Sequence, residues 1–194
     1  MVRFRFCGIT LLADFTAPAL LCLMMLMQPQ RAVLRLLSAC ILHETAHFLA
    51  AALTGRRPEA LRISAVGLCL TLKQPALCPL PAYTVILLAG SAANLAAAAG
   101  FFAAGLRNPA CVNLALGLFN LLPCRCTDGG TLLHLLLCRM TLRHRINPAQ
   151  VMRGISLMTS LLLAAAMLHR GIGNLTLPAM LCFLTASAPI DSRD

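Results

Sequence analysis

Two histidines and a glutamate interrupt an otherwise apolar stretch, ILHETAHFLA, at residues 41 to 50. His43, Glu44 and His47 follow the pattern H-E-x-x-H. Histidines one helical turn apart lie on the same face of a helix, where two imidazoles can bind one tetrahedral metal ion, usually zinc. Glu44 lies about 100° around the helix from His43, where its carboxylate can take a proton from a metal-activated water molecule. The spacing therefore predicts a metal centre on a helix.

The third ligand must come from elsewhere, because a catalytic zinc normally has three protein ligands and one open position. Of the six acidic residues, Glu44 and Asp128 are the two deep in the central apolar segments. Asp128 also lies where its segment is broken, so we expect it to be the third ligand. Together with Glu44 it would balance the charge of a divalent cation, which offsets the cost of placing two carboxylates in a membrane. His134 is the alternative third ligand, although we favour the interpretation that its side chain is hydrogen-bonded within the protein core and binds no metal.

The composition is that of an integral membrane protein. Of the 194 residues, 59% are hydrophobic and 11% are charged, whereas about one quarter are charged in soluble domains. The net charge of +10 comes from scattered basic residues near the ends of apolar runs, which are typical topology signals and do not indicate nucleic-acid binding. The ten cysteines lie largely in apolar segments, where we expect small hydrophobic side chains and no disulfide framework.

Hydropathy predicts an all-α membrane protein of about six transmembrane helices, with a short β segment at the membrane surface. The β segment covers residues 59 to 75, where alternating leucines favour one or two strands with Gly67 at the turn. In the fourth span, a proline, two glycines, an arginine and an aspartate predict a break inside the protein at residues 123 to 130. The predicted spans are residues 8 to 27, 33 to 53, 82 to 106, 110 to 138, 151 to 168 and 172 to 189.

The basic residues also predict the orientation of the chain. The first span lacks a small-residue cleavage site, so we expect it to be retained and not removed as a signal peptide. Most arginines and lysines then fall on one side of the membrane, which should be the cytoplasmic side. This side would carry the N-terminus, the segment from Arg56 to Lys73 and the loop from Arg139 to Arg145.

Three motifs occur in order along the chain: HETAH at residues 43 to 47, GSAAN at 90 to 94 and NLLPCRCTDGG at 120 to 130. They resemble the patterns H-E-x-x-H, G-P-x-x-N and N-x-x-P-x-x-x-x-D-G of the site-2 protease family, the intramembrane zinc metalloproteases of peptidase family M50. The resemblance covers about residues 30 to 140 and is closest to the stage IV sporulation protease of endospore-forming bacteria. It implies a single polytopic metalloprotease domain over residues 1 to 194, with its catalytic core at about 30 to 140.

The resemblance implies a role for each matching residue. His43, His47 and Asp128 would bind one zinc ion per chain, and Glu44 would activate the water. The implied enzyme is a metalloendopeptidase that cleaves membrane-associated or single-span substrates in regulated intramembrane proteolysis, with pro-sigma factor processing in sporulation as one example. Its implied partners are a membrane-tethered protein substrate, the lipid bilayer and membrane regulatory proteins, in a bacterial cell membrane.

Two asparagines are implied to contact the substrate, and three positions depart from the family pattern. Asn120 and Asn94 would hold the substrate backbone or polarise its carbonyl, although both also fit a role in hydrogen bonding between helices. Ser91 stands where the second motif has proline, and Thr127 precedes the aspartate where the family often has leucine. Arg125 places a cation near the proposed metal, which would weaken metal binding unless the side chain points away or pairs with substrate.

Two other functions compete with proteolysis. A membrane metal transporter would also place histidines and carboxylates in broken helices, but transporters usually use several such groups in repeated halves, and this sequence offers one cluster and no repeat. An inactive membrane scaffold would not need the base Glu44. The sporulation-type relatives carry a C-terminal regulatory domain, and because the sequence ends at Asp194 we expect no regulation of that kind.

Overall fold

The computed structural model describes residues 2–6, 9–56, 58–64, 67–72, 78–124, 127–140 and 147–169. The chain forms two compact units, Met1–Leu118 and Phe119–Asp194. In chain order the elements are β1 (Val2–Phe6), β2 (Ile9–Ala13), α1 (Thr16–Met27), α2 (Gln30–Leu53), β3 (Pro58–Ser64), β4 (Gly67–Leu72), α3 (Leu80–Ala103), α4 (Arg107–Asn120), α5 (Asp128–Met140) and α6 (Pro148–His169).

The first unit contains a four-stranded sheet in the order β1-β2-β3-β4. The two hairpins, β1 with β2 and β3 with β4, are antiparallel, and β2 pairs with β3 in parallel. The antiparallel pair β3 and β4 confirms the strands predicted for residues 59 to 75. Gly67 begins β4 opposite Ser64, beside residues 65 and 66, which lie outside the described residues. The location of this hairpin at a membrane surface stays a prediction.

The N-terminal hairpin corrects the first predicted span, residues 8 to 27. Strand β2 occupies Ile9–Ala13, and only Thr16–Met27 is helical. The sequence VRFRF of β1 alternates arginine with apolar residues, which is the period of a strand and not of a helix. At 1.5 Å per residue, the 12 residues of α1 reach about 18 Å, against a hydrocarbon core of about 30 Å. Helix α1 is therefore too short to cross the membrane alone.

Three of the described helices are long and apolar enough to span a membrane: α2, α3 and the segment Pro148–Ala166 of α6. They suggest an integral membrane protein, but the described residues do not provide six spans. The fourth predicted span consists of two helices, α4 with 14 residues and α5 with 13. Helix α4 ends at Asn120 and α5 begins at Asp128, which confirms a break in this span, although residues 128–130 of the predicted break are helical. The sixth predicted span, residues 172 to 189, lies outside the described residues.

Small side chains allow α2 and α3 to pack closely in the first unit. Ala50 and Ala51 of α2 are buried against Ile86 of α3, with Tyr83 and Ala89 packed around them. This contact lies one turn beyond His47 along α2, so it fixes the part of α3 that faces the histidines. In the second unit, α5 packs against α6, whose Met152, Ser156 and Ser160 are fully buried at intervals of four residues.

Candidate metal centre

The two histidines of the H-E-x-x-H pattern are buried and close together. His43 and His47 are only 5% and 6% exposed, in a helix whose neighbouring Ile41 and Leu49 are exposed. Their Nε2 atoms lie 3.0 Å apart. Two nitrogens bound to one zinc at about 2.1 Å in a tetrahedral arrangement are separated by about 3.4 Å. The pair is therefore close to the geometry that a shared ion requires.

A backbone carbonyl on the neighbouring helix orients His47. The ring atom Nδ1 lies 2.6 Å from the carbonyl oxygen of Ile86. Because a carbonyl can only accept, Nδ1 carries the proton and donates it, which leaves the lone pair of the ring on Nε2. Metal-binding histidines are commonly held in this way by a hydrogen bond from their second nitrogen. The contact with α3 thus leaves Nε2 of His47 available to a metal ion.

Gly90 of α3 lies directly against the two imidazoles. A Cβ atom at this position would be 2.7 Å from Nε2 of His43 and would overlap Nε2 of His47. Gly100 of the same helix has nothing within 4 Å of the corresponding point. Only glycine therefore leaves the space in front of the two nitrogens open. The sequence predicted a small-residue packing face on this helix, and in the structure Gly90 of that face lies against the two histidines.

Asn94 and Ser91 follow Gly90 on the buried side of α3. Asn94 is fully buried, and neither its Oδ1 nor its Nδ2 has a hydrogen-bond partner within the described part of the chain. The hydroxyl of Ser91 is also buried, and the described residues supply no partner for it. Burying an unpaired amide costs about 1 to 3 kcal/mol. The amide of Asn94, one helical turn from Gly90, is therefore suited to form hydrogen bonds with a bound ligand.

Asp128 is the first residue of α5 and is half-buried. Its negative charge at a helix N-terminus is favoured by the helix dipole. The two following glycines allow the preceding loop to touch this helix, because a Cβ on Gly129 would overlap the carbonyl oxygen of Leu121 and one on Gly130 that of Cys124. The D-G-G sequence is therefore needed to bring the aspartate and its loop together.

The potential ligand atoms of His43, His47 and Asp128 all lie within 4.8 Å of one another, so these residues could hold a metal ion. Among the described residues this is the one such group of three or more. Two imidazoles and a carboxylate match the donor set of a catalytic zinc with an open position. Glu44 is half-buried beside His43 in the chain and is not a member of the ligand group.

The remaining candidates lie at other positions. His134 is not in the ligand group, and its ring nitrogens are 3.7 and 3.8 Å from the sulfur of Cys138 one turn later in α5. Asn120 is the last residue of α4 and is half-buried. Arg125 lies outside the described residues, so its predicted effect on metal binding stays a prediction.

Known proteins resemble this chain in sequence and in fold. The model of peptidase family M50 matches residues 104–166. The protein named zinc metalloprotease Rip3, in two strains of Mycobacterium tuberculosis, is 34% identical over 79% of this chain and 44% of its own length. This chain thus spans less than half the length of these curated relatives. Both comparisons support a likeness between this chain and peptidase family M50.

A solved structure extends the M50 likeness to the fold. The site-2 protease from Methanocaldococcus jannaschii superposes with a TM-score of 0.68 at 17% identity, covering 100% of this chain and 98% of that chain. The fold is therefore that of the archaeal enzyme. The family resemblance inferred from the three motifs is supported by these likenesses. The sporulation subtype stays a prediction.

Sequence reasoning missed two features of the centre. The carbonyl of Ile86 orients His47, but a backbone atom has no residue-type signal. Thr127 was noted only as a departure from the family pattern, and its hydroxyl holds the loop that precedes Asp128. A threonine directly before an aspartate and a helix is an N-cap signal, and that signal could have identified it.

Proposed function

We propose that this chain is an intramembrane zinc metalloendopeptidase of the site-2 protease type. Its substrates would be membrane-associated or single-span proteins. The observation that carries the proposal is the pair of buried imidazoles, whose Nε2 atoms lie 3.0 Å apart beside a glycine that leaves the space open. The M50 likeness supports the reaction class.

His43, His47 and Asp128 would hold the zinc ion. The hydrogen bond from Nδ1 of His47 to Ile86 supports this assignment, because it leaves Nε2 available for a metal. When bound, zinc polarises a carbonyl and lowers the pKa of water to about 7. The two negative charges of Asp128 and Glu44 would balance the divalent cation in an apolar setting.

Glu44 would serve as the general base. Its carboxylate takes a proton from the attacking water as the water oxygen bonds to the scissile carbonyl carbon. When the carbon–nitrogen bond breaks, the same carboxyl group gives that proton to the leaving amine. The products are a carboxylic acid and an amine, and Glu44 returns to its starting state. Its position outside the ligand group supports a role as base.

Asn94 and Asn120 would bind the backbone of the substrate. An amide offers both a donor and an acceptor, which is the complement of an extended peptide. The two amide atoms of buried Asn94, which have no partner among the described residues, support this role. Because a helical substrate has satisfied its own backbone groups, it must unwind locally before Asn94 can bind it.

The biological setting is part of the same proposal. The chain would act in a bacterial cell membrane with a cytoplasmic N-terminus, on a membrane-tethered protein, in regulated intramembrane proteolysis. Processing of a pro-sigma factor in sporulation is one such reaction. Membrane regulatory proteins are further proposed partners.

The test uses the purified full chain in detergent with a panel of single-span substrates of different sequence. We expect specific cleavage, loss of cleavage after a chelator removes the metal, and recovery when zinc is added back. Zinc-dependent metal flux in vesicles without cleavage would instead support a transporter. Absence of both would support a scaffold and would overturn the proposal.

A further inference from the structure

A single hydroxyl ties the loop after α4 to the start of α5. Thr127 is 2% exposed, and its Oγ1 donates towards the carbonyl oxygens of Leu122 and Cys124, the latter at 2.8 Å. The same oxygen accepts a hydrogen bond from the backbone N–H of Gly130 at 3.2 Å. The backbone N–H of Thr127 also donates to Cys124 at 3.0 Å. All of these groups belong to the second unit.

These contacts use the hydroxyl both as a donor and as an acceptor. One proton is shared between two loop carbonyls, and a lone pair accepts the N–H of the third helical residue, as in an N-cap. The loop carbonyls are thereby held next to Gly129 and Gly130, where no Cβ would fit. Asp128, the residue after Thr127, has its backbone fixed from both sides. A side chain without a hydroxyl could make none of the bonds of Oγ1.

We propose that Thr127 is a positioning residue, whose hydroxyl holds Asp128 in the place required for metal binding. The inference rests on the proposed function, because it takes Asp128 as a ligand. Groups that orient metal ligands typically contribute about 10-fold to 100-fold in metal affinity. The effect should therefore appear in the metal affinity itself, before any catalysis.

The experiment compares three variants of the full chain. Thr127→Val keeps the shape of the side chain and removes the hydroxyl, whereas Thr127→Ser keeps the hydroxyl. Thr131→Val is the matched control, since the Thr131 hydroxyl bonds only to the carbonyl of Thr127 one turn earlier among the contacts that the structure gives for it. Zinc affinity is measured by competition with a chelator, and the visible spectrum of bound Co²⁺ reports the coordination geometry.

We expect Thr127→Val to bind zinc about 10-fold to 100-fold more weakly and to shift the Co²⁺ spectrum. Thr127→Ser and Thr131→Val should keep wild-type affinity and spectrum. If Thr127→Val does not fold, as judged by the thermal midpoint of the metal-free protein, Thr127→Ala removes the hydroxyl without added bulk and should give the same result.

The inference is overturned if Thr127→Val, or Thr127→Ala in its place, binds zinc like wild type, or if Thr127→Ser is as weak as Thr127→Val. Failure of the proposed function looks different. In that case wild type binds no metal, or Asp128→Ala retains full affinity, and the ligand set is wrong before Thr127 is considered.

Discussion

The ring atom Nδ1 of His47 donates a hydrogen bond to the carbonyl oxygen of Ile86 over 2.6 Å. The second histidine of the candidate metal centre is therefore oriented by α3. Since α3 also carries Gly90 and Asn94, one helix orients His47, keeps the space in front of both imidazoles open and presents a buried amide.

Gly90→Ala should abolish metal binding. The added Cβ would occupy the space in front of both Nε2 atoms, so zinc content should fall below about one tenth of the wild-type value, equivalent to at least about 1.4 kcal/mol of binding free energy. Metal analysis of the purified protein measures this. Gly100→Ala on the same helix is the control and should retain the metal, since its Cβ meets nothing within 4 Å. Retention of zinc by Gly90→Ala would show that this glycine serves helix packing alone.

His43→Ala, His47→Ala and Asp128→Ala should each lower zinc occupancy, because each would remove one of three protein ligands. Wild type should hold about one zinc per chain. His134→Ala should leave the occupancy unchanged, because His134 is outside the ligand group. Elemental analysis after dialysis distinguishes these variants. If Asp128→Ala kept full zinc occupancy and His134→Ala lost it, His134 and not Asp128 would be the third ligand.

Asn94→Leu should stabilise the metal-free protein and impair its activity. The substitution removes two buried polar atoms that have no partner within the described part of the chain, which relieves about 1 to 3 kcal/mol. The thermal midpoint should rise, while KM for a cleaved substrate rises as well. Asn113→Leu is the control. Its Nδ2 donates to the carbonyl of Pro109 at 2.9 Å, and only its Oδ1 lacks a partner within the described part of the chain, so the midpoint should rise less than for Asn94→Leu. A lower midpoint for Asn94→Leu would indicate a structural hydrogen bond instead.

Reporter fusions should place the N-terminus and residues 57 and 143 in the cytoplasm, because the basic residues cluster there. A fluorescent reporter that folds only in the cytoplasm should be active at these positions. An alkaline phosphatase fusion, which requires the oxidising exterior, should be inactive. Phosphatase activity at residue 57 would reverse the orientation, and with it the side from which the centre is reached.

The sequence was sufficient where local spacing decides the structure. The helical period put His43 and His47 on one face, and the fourth span is broken near Pro123 as predicted, although Gly129 and Gly130 of the predicted break are helical. Residues 9 to 13 were assigned wrongly because a short apolar run fits a strand as well as a helix. Their strand pairs with β3, in which Leu61 lies opposite Leu11, and no local pattern reports such a distant partner.

We expect Glu44 to act as a base and not as a metal ligand. Glu44→Gln keeps the size of the side chain but cannot accept a proton, so zinc content should equal that of wild type while cleavage falls at least about 100-fold. Glu59→Gln is the matched control, because Glu59 is an exposed carboxylate on β3, and it should cleave like wild type. The decisive measurement is the cleavage rate of one verified single-span substrate by Glu44→Gln protein with its zinc content determined. The account predicts full zinc with almost no cleavage, and a near wild-type cleavage rate would contradict it.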